Sequence, residues 1–321
     1  MTLYHEHYKD YLTSFLSGSP TSKIKTQKEG ICVKYFKLYN GILMPAIGSG
    51  TNNFGRADSD KYESELNGDF SAMDTALEVG YRMFDTAMIY GNEDGIGERI
   101  KSSGVPREEF FIMGKIPNQS PYNDDEASIR KSVENSLRTL KTDYFDMFLI
   151  HKAIPTADER AGVRVMNLEK TLALWSVLEK LMNEGKLRGI GVSNFNVDQL
   201  NSFLPVCSTV PMVNEVRCNP AMRNTEIVEL CKAKGIQPVA HSPLSFSIAP
   251  GVFAVDEVYK AKLAGIGEKY GKHWAQVQLR YNYQNGIASI PRSSKKKNQA
   301  SNLDIFDFEL TAEEMATLSA N

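Results

Sequence analysis

The chain has 321 residues, and its 37 Lys and Arg against 39 Asp and Glu leave a formal charge of −2. A balance this even lacks the basic footprint of a dedicated nucleic-acid binder. With 42% hydrophobic and 24% charged residues, the chain is a globule with a large core rather than a disordered polymer, and at roughly 150 residues per domain its length fits two domains or one large α/β barrel.

Residues 1–29 differ from the rest of the chain. Tyr4, Tyr8, Tyr11, Leu12 and Phe15 recur at the spacing of one helix face. Ser17-Gly18-Ser19-Pro20 then stops that pattern. The segment is expected to be a helical N-terminal extension, packed on the main domain or used as a partner contact. It mixes acids with apolar residues, and its first cation, Lys9, sits beside Asp10, so it does not read as a signal peptide. No apolar run approaches the ~18 residues of a membrane span. Cys32, Cys207, Cys218 and Cys231 have no metal-binding or C-x-x-C spacing. They are expected to be reduced thiols in a cytoplasmic protein.

From residue 31 short apolar runs alternate with helical stretches. The expected strands are Ala46–Thr51, Arg82–Asp85, Phe110–Gly114, Tyr144–His151, Leu187–Ser193, Met212–Glu215, Gln237–His241 and Ile287–Pro291. The expected helices are Asp69–Val79, Ala127–Leu140, Leu168–Asn183, Thr225–Lys234 and Lys260–Tyr270. Gly80, Gly185, Gly235 and Gly271 follow four of them, as glycine does just past a helix C-terminus. This alternation predicts a (β/α)8 barrel over residues 30–321. A doubly wound sheet would want G-x-G-x-x-G after its first strand. Gly48-Ser49-Gly50-Thr51 lacks the third glycine and runs into Asn52-Asn53-Phe54.

In a barrel, chemistry collects at the C-terminal ends of the strands. Those ends carry Asp85, Lys115, His151, Ser193-Asn194, Glu215 and His241. Buried polar groups in such number require mutual pairing or a function. Two chemistries fit. One is metal-assisted hydrolysis with Asp85, His151, Glu215 and His241 as ligands. The other is hydride transfer coupled to a proton from Tyr90, five residues beyond Asp85. A tyrosine is a poor acid at neutral pH unless a neighbouring ammonium favours its anion. Lys115 can serve as that ammonium, Asp85 can hold it, and His151 can bond a substrate oxygen.

Over nearly all of residues 31–318 the chain resembles the aldo-keto reductase family. The matching stretches run in order: Asn40-Gly41 to Met44-Pro45, Gly48–Thr51, Phe84-Asp85-Thr86-Ala87 with Tyr90-Gly91-Asn92-Glu93, Gly114-Lys115 and Asp146 to His151. They continue with Gly189 to Phe195, Ser242-Pro243-Leu244, Ile290-Pro291-Arg292-Ser293 and Phe308-Glu309-Leu310-Thr311. The resemblance implies an NADPH-dependent carbonyl reductase that needs no metal. Asp85, Tyr90, Lys115 and His151 match the catalytic tetrad, with Tyr90 as proton donor. Ser193 and Asn194 match the pair that bonds the nicotinamide carboxamide. Arg292, Ser293 and Asn302 match the adenosine 2′-phosphate site. Gly50, Thr51, Asn52, Asp85, Ser242, Pro243, Leu244 and Ile290 complete the implied contacts to NADPH or NADP+.

Four departures bear on function. Glu215 stands where the family has Gln, and its charge would favour the cationic, oxidised nicotinamide unless a neighbour neutralises it. His241 replaces the tyrosine that stacks on the nicotinamide. Asn298 replaces an arginine of the phosphate site, where Lys295, Lys296 and Lys297 are expected to compensate. The pocket tryptophans are missing, and Trp175 and Trp274 are expected to pack structurally. Asn52, Asn53, Arg56, Arg164 and Arg217 at the rim point to a polar, anionic substrate. The chain ends soon after its last helix, which leaves the loop Ser245–Val255 to cover the site. The expected partner is a small carbonyl compound, with no nucleic acid or membrane, in a monomer or homodimer. The alternatives are an NADPH-binding regulatory or scaffold protein with slow turnover, and a reductase of C=N bonds in secondary metabolism.

Overall fold

A computed structural model describes residues 33–58, 64–156, 165–249, 252–253 and 256–320. The expected N-terminal extension, Arg164 and part of the Ser245–Val255 loop lie outside the described residues. The structure opens with an antiparallel hairpin of β1 (Tyr35–Lys37) and β2 (Leu43–Pro45). Three-residue strands are too short to show alternation, so these two leave no sign in the sequence. Strands β3 (Ser49–Gly50), β4 (Met83–Asp85), β5 (Phe111–Ile116) and β6 (Met147–Ile150) come next. After them lie β7 (Ile190–Ser193), β8 (Val213–Arg217) and β9 (Gln237–His241). A short hairpin, β10 (Ser247–Ala249) with β11 (Val252–Phe253), precedes β12 (Ala288–Ile290).

Eight of these form one sheet in the order β12-β9-β8-β7-β6-β5-β4-β3. Ile47 and Ser289 form a parallel bridge that joins the two ends of that order, making a (β/α)8 barrel. Each expected strand is present, and Gln237–His241 has the expected bounds. The residues form two compact units. One holds the chain up to Gly50, Thr75–Arg82 and everything from Val216; the other holds Thr51–Asp74 and Met83–Glu215.

The helices between strands are α1 (Ser71–Glu78), α2 (Glu93–Ser102), α3 (Glu126–Thr139), α4 (Leu168–Asn183), α5 (Val197–Phe203) and α6 (Thr225–Ala233). After β11 come α7 (Glu257–Tyr270) and α8 (Trp274–Gln284), and after β12 come α9 (Lys296–Leu303) and α10 (Ala312–Ser319). Their ends obey local chemistry. Asp125 Oδ1 accepts from Ser128 N at 2.7 Å while Ser128 Oγ accepts from Asp125 N at 2.8 Å. That capping box satisfies two orphan amides at the start of α3. Gly271 closes α7 in the left-handed region, at φ 66°, where a side chain would be strained.

Helix α2 escapes sequence reading because Gly95 and Gly97 weaken its helical signal. Both glycines serve close packing. A Cβ on Gly97 would stand 2.5 Å from the Leu140 backbone, and one on Gly95 would stand 2.0 Å from the Phe70 ring. The tryptophans pack structurally. Trp175 Nε1 donates to Thr209 O at 3.1 Å and its ring meets Phe203 edge-on, while Trp274 lies against Phe246.

Candidate active site

The second unit brings together the C-terminal ends of β4 to β7 and β8 as far as Glu215. Parallel register aligns Met83 with Phe111 and Met113 with Met147, so side chains at these ends share one rim. Asp85 ends β4, Lys115 lies one residue from the end of β5, and Glu215 lies in β8. All three are at most 3% exposed. The Lys115 ammonium is paired with Asp85 Oδ1, donates to Thr86 O at 3.2 Å, and lies 3.2 Å from Glu215 Oε2. Tyr90 ends the short 3-10 turn Met88–Tyr90, which Gly91 closes at φ 70°. Its ring centre is 5.6 Å from Lys115 Nζ and 6.1 Å from the imidazole of His151, edge-on at 85°. Tyr90 and His151 are half-buried, so this end of the cluster faces outward.

Burial opposes the charge on Lys115, but Asp85, then Glu215 and Tyr90, outweigh it and hold the ammonium well above the usual lysine range. Burial also raises Asp85, against the pull of Lys115. Glu215 is pushed up to about 8 by burial and by the charge of Asp85, with Lys115 opposing. Two carboxylates sharing one site titrate as a pair. Asp85 makes the tighter contact to the ammonium, so Glu215 is the more readily protonated of the two. Burial and the Asp85 charge thus both oppose a negative charge on Glu215 beside a nicotinamide. Glu93, at the start of α2, is a further buried acid. Its carboxylate accepts from Ser136 Oγ at 2.7 Å, and burial pushes it up to about 7.

The loop after β3 holds the segment that carries Asp85 and Tyr90. Thr51 donates to Asp85 O from both its N–H and its hydroxyl, at 3.1 and 2.8 Å. Asn92 is fully buried at the N-cap of α2, but its side chain caps nothing there. Its Nδ2 reaches back to Thr51 O and Phe54 O at 2.8 and 3.0 Å. Arg56 donates to three carbonyls: Asn52 O at 3.0 Å, Ser64 O at 2.6 Å and Tyr90 O at 2.8 Å. This corrects the reading of Arg56 as a rim cation aimed at an anionic substrate. Its guanidinium fixes the backbone of the tyrosine turn.

The residues that the resemblance assigns to a cofactor divide between the units. In the second unit, Asn194 sits in the left-handed region at φ 58°. Its Nδ2 donates to His151 O and Ser193 Oγ, both at 3.0 Å, and Ser193 Oγ donates to Glu215 O at 3.1 Å. Ser193, Asn194, Glu215 and His151 thus share one hydrogen-bonded rim. Asn52 is half-buried at the base of the first loop.

In the first unit, Gly50 N donates to Pro291 O at 3.2 Å, and a Cβ on Gly50 would stand 3.3 Å from Ile290 O. His241 Nδ1 lies 3.3 Å from Ser242 Oγ, and Ser242 has φ 52°. Pro243 is buried and Leu244 half-buried in the turn that Ser245 N closes onto Ser242 O. Ser293 Oγ accepts from Lys295 N at 3.1 Å just before α9. Arg292 is half-buried there and Asn298 is exposed. Asn302 is buried and bonds the hydroxyl of Tyr81. Gln299, which the sequence did not single out, braces this loop by donating to Ser293 O at 2.8 Å and accepting from Thr75 Oγ1 at 2.7 Å. Lys296 is paired with Glu78, and its neighbours Lys295 and Lys297 are exposed.

The metal alternative meets a specific obstacle, because both of its carboxylates contact the Lys115 ammonium. The donor set fits a nicotinamide cofactor instead. At the rim, the backbone carbonyl of Glu215 accepts from Asn194 N at 2.8 Å and from Ser193 Oγ at 3.1 Å, while its buried Oε2 has no well-formed hydrogen bond. Arg292, Ser293 and the lysine run supply the cationic and hydroxyl donors that a phosphate requires.

The sequence model of the Aldo/keto reductase family matches residues 46–320. The glyoxal reductase of Bacillus subtilis (strain 168) is 40% identical over 285 residues, which are 88% of this chain and 91% of that one. An aldo-keto reductase of the silkworm, Bombyx mori, superimposes with a TM-score of 0.76 at 32% identity, over 90% of this chain and 88% of that one. A Bombyx mori aldo-keto reductase in complex with NADP gives a TM-score of 0.74 at 31% identity, over 88% and 91% of the two chains. With the barrel, the buried Asp85–Lys115 pair and the adjoining Tyr90 and His151 already in place, the chain belongs to the aldo/keto reductase family of oxidoreductases.

Proposed function

We propose that this protein reduces an aldehyde or ketone to an alcohol with NADPH, and that Tyr90 donates the proton. The observation that carries the reading is the fully buried Lys115 ammonium, held by Asp85, with the Tyr90 ring beside it and His151 opposite. NADPH, when bound, supplies the hydride. The substrate oxygen is held by the Tyr90 hydroxyl and the His151 imidazole. Tyr90 gives its phenolic proton to that oxygen as negative charge develops there. Lys115 stabilises the phenolate left behind, and Asp85 keeps the ammonium charged and in place. Ser193, Asn194 and Glu215 would hold the carboxamide, and His241 would stack on the ring. Arg292, Ser293, Lys295 and Lys297 would hold the 2′-phosphate.

The substrate is a small, uncharged carbonyl compound, of which glyoxal is the first to try given the similarity to glyoxal reductase. Arg56 no longer supports an anionic choice, and Leu66 and Ile89, both exposed and beside the tyrosine turn, add apolar surface. The protein works as a cytoplasmic monomer or homodimer without nucleic-acid or membrane partners. Its near-neutral charge supports the reading that it has no nucleic-acid partner.

Fluorescence titration with NADPH and NADH, followed by turnover with glyoxal, tests the reading. NADPH is expected to bind at least about tenfold tighter than NADH. Tyr90→Phe is expected to lose turnover by about 100-fold or more while keeping cofactor affinity. Equal turnover in wild type and Tyr90→Phe would remove Tyr90 from the chemistry. Slow turnover in both, with intact NADPH binding, would favour the scaffold alternative.

A further inference from the structure

The rim of the second unit contains an imbalance that the proposed chemistry does not require. One ammonium faces two carboxyl groups, and all three are sealed from water. If both acids were ionised, the buried cluster would carry a net negative charge, which burial disfavours strongly. The two acids are also not equivalent. Asp85 is in direct contact with the ammonium, whereas Glu215 Oε2 lies at 3.2 Å without a well-formed hydrogen bond. Glu215 therefore has the weaker claim on Lys115 and is the more readily protonated acid, a carboxyl pushed up to about 8 by burial and by the Asp85 charge.

We propose that Glu215 is a positioning residue for proton transfer at Tyr90, acting through Lys115. As a neutral acid it leaves the ammonium's field to Asp85 and the phenol; as a carboxylate it draws that field away from the phenol. The inference rests on the reading of Tyr90 as proton donor. Its physical basis is the range of the ammonium's field. Lys115 interacts with Tyr90 as well as with both acids. In a water-poor pocket a new negative charge on one neighbour is felt by the others. An ionised Glu215 makes a second anion at Tyr90 costlier, so Tyr90 releases its proton less readily.

Among the described residues, the ionisable groups to weigh beside Glu215 begin with Arg217, half-buried two residues along β8. Asp85 comes from β4 and Lys115 from β5. Tyr90 lies on the turn after β4, His151 at the end of β6, and Glu93 at the start of α2, where it still feels Lys115. Ser193 ends β7 and Asn194 follows it, and neither carries a charge. The next strand in the sheet order, β9, ends in His241.

The test reads Tyr90 directly and does not depend on turnover. Full-length protein is labelled with ζ-13C tyrosine, and Tyr90 is assigned by its absence in Tyr90→Phe. Its resonance is tracked against pH in wild type, in Glu215→Gln, and in each of these with His241→Phe added. In wild type, Tyr90 is expected to report an earlier, smaller step as Glu215 ionises, then its own ionisation. In Glu215→Gln the first step is expected to vanish and the second to fall by about one pH unit, a roughly tenfold stronger acid. His241→Phe is expected to leave both features unchanged. A Tyr90 midpoint that stays within about 0.3 pH unit in Glu215→Gln, or that rises, overturns the proposal. An early step that disappears with His241→Phe alone overturns it as well. Should Glu215→Gln not fold, Glu215→Ser is read in the same way, since it too removes the charge. If Tyr90→Phe still turned over normally, the proton-donor reading would fail on its own; loss of turnover with an unmoved titration would overturn only the role of Glu215.

Discussion

Two buried ionic clusters lie at opposite ends of the same parallel strands in the second unit. At the N-terminal end, Asp146 is 1% exposed and pairs with Arg107 at 2.9 Å and Arg188 at 2.8 Å, while also accepting from Ile112 N at 3.0 Å. Arg107 lies over the Tyr144 ring at 4.0 Å. Here one anion meets two cations, and both arginines reach water. At the C-terminal end, one cation meets two acids and nothing reaches water. The first cluster is satisfied and ties strands together. The second leaves Thr86 Oγ1 without a hydrogen-bond partner and gives Glu215 Oε2 only a poorly formed contact to Lys115. Unmet polar groups in a sealed site are costly, and they are kept where something else must bind or react.

Substitutions should separate the two ends. The largest effect is expected at the sealed one. Lys115→Met keeps length and removes charge, so turnover should fall by about 1,000-fold or more as Tyr90 loses its ammonium. Circular dichroism should show a folded protein, because Asp85 and Glu215 can both take up protons. Turnover within about tenfold of wild type would mean that the ammonium is only structural.

At the open end the expected loss is in stability. Asp146→Asn leaves two arginines facing a neutral amide and should cost about 2–3 kcal/mol, read from urea midpoints. Turnover per folded molecule should not change. If it dropped in step with stability, the two ends would not be independent.

A smaller effect is expected from Glu93, and it depends on pH. Its carboxyl is raised to about 7 in the folded protein from a usual 4.5. The folded state therefore binds the proton more tightly than the unfolded state does. The stability this confers is complete below the unfolded value and is lost as pH rises through about 7. Wild type should thus lose on the order of 1–3 kcal/mol more than Glu93→Gln between pH 5 and pH 8. Parallel urea midpoints for the two proteins across that range would show that Glu93 is not the titrating group.

How much of this could be read beforehand depended on where each signal lay. The strands announced themselves as apolar runs between turn residues, and α4 matched its expected span of Leu168–Asn183 because its buried face repeats over four turns. Helix α2 did not, since its two glycines answer to Phe70 and Leu140, which are remote in sequence. That Asp85, Tyr90, Lys115 and His151 come together was legible from motif order. The contact between Lys115 and Glu215 was not, because the two are 100 residues apart and either acid end could have claimed the ammonium. Arg56 shows the same limit. An arginine near a site reads alike whether it faces solvent or is locked onto carbonyls, and only tertiary competition decides.

That lock has a consequence for how this protein can change. Arg56 grips residues 52, 64 and 90 by their carbonyl oxygens alone, and every amino acid supplies the same carbonyl. Drift at positions 52 and 64 can therefore reshape the mouth of the site while the frame that holds the tyrosine turn stays intact. New substrates become accessible by mutation in small steps, each leaving the frame in register.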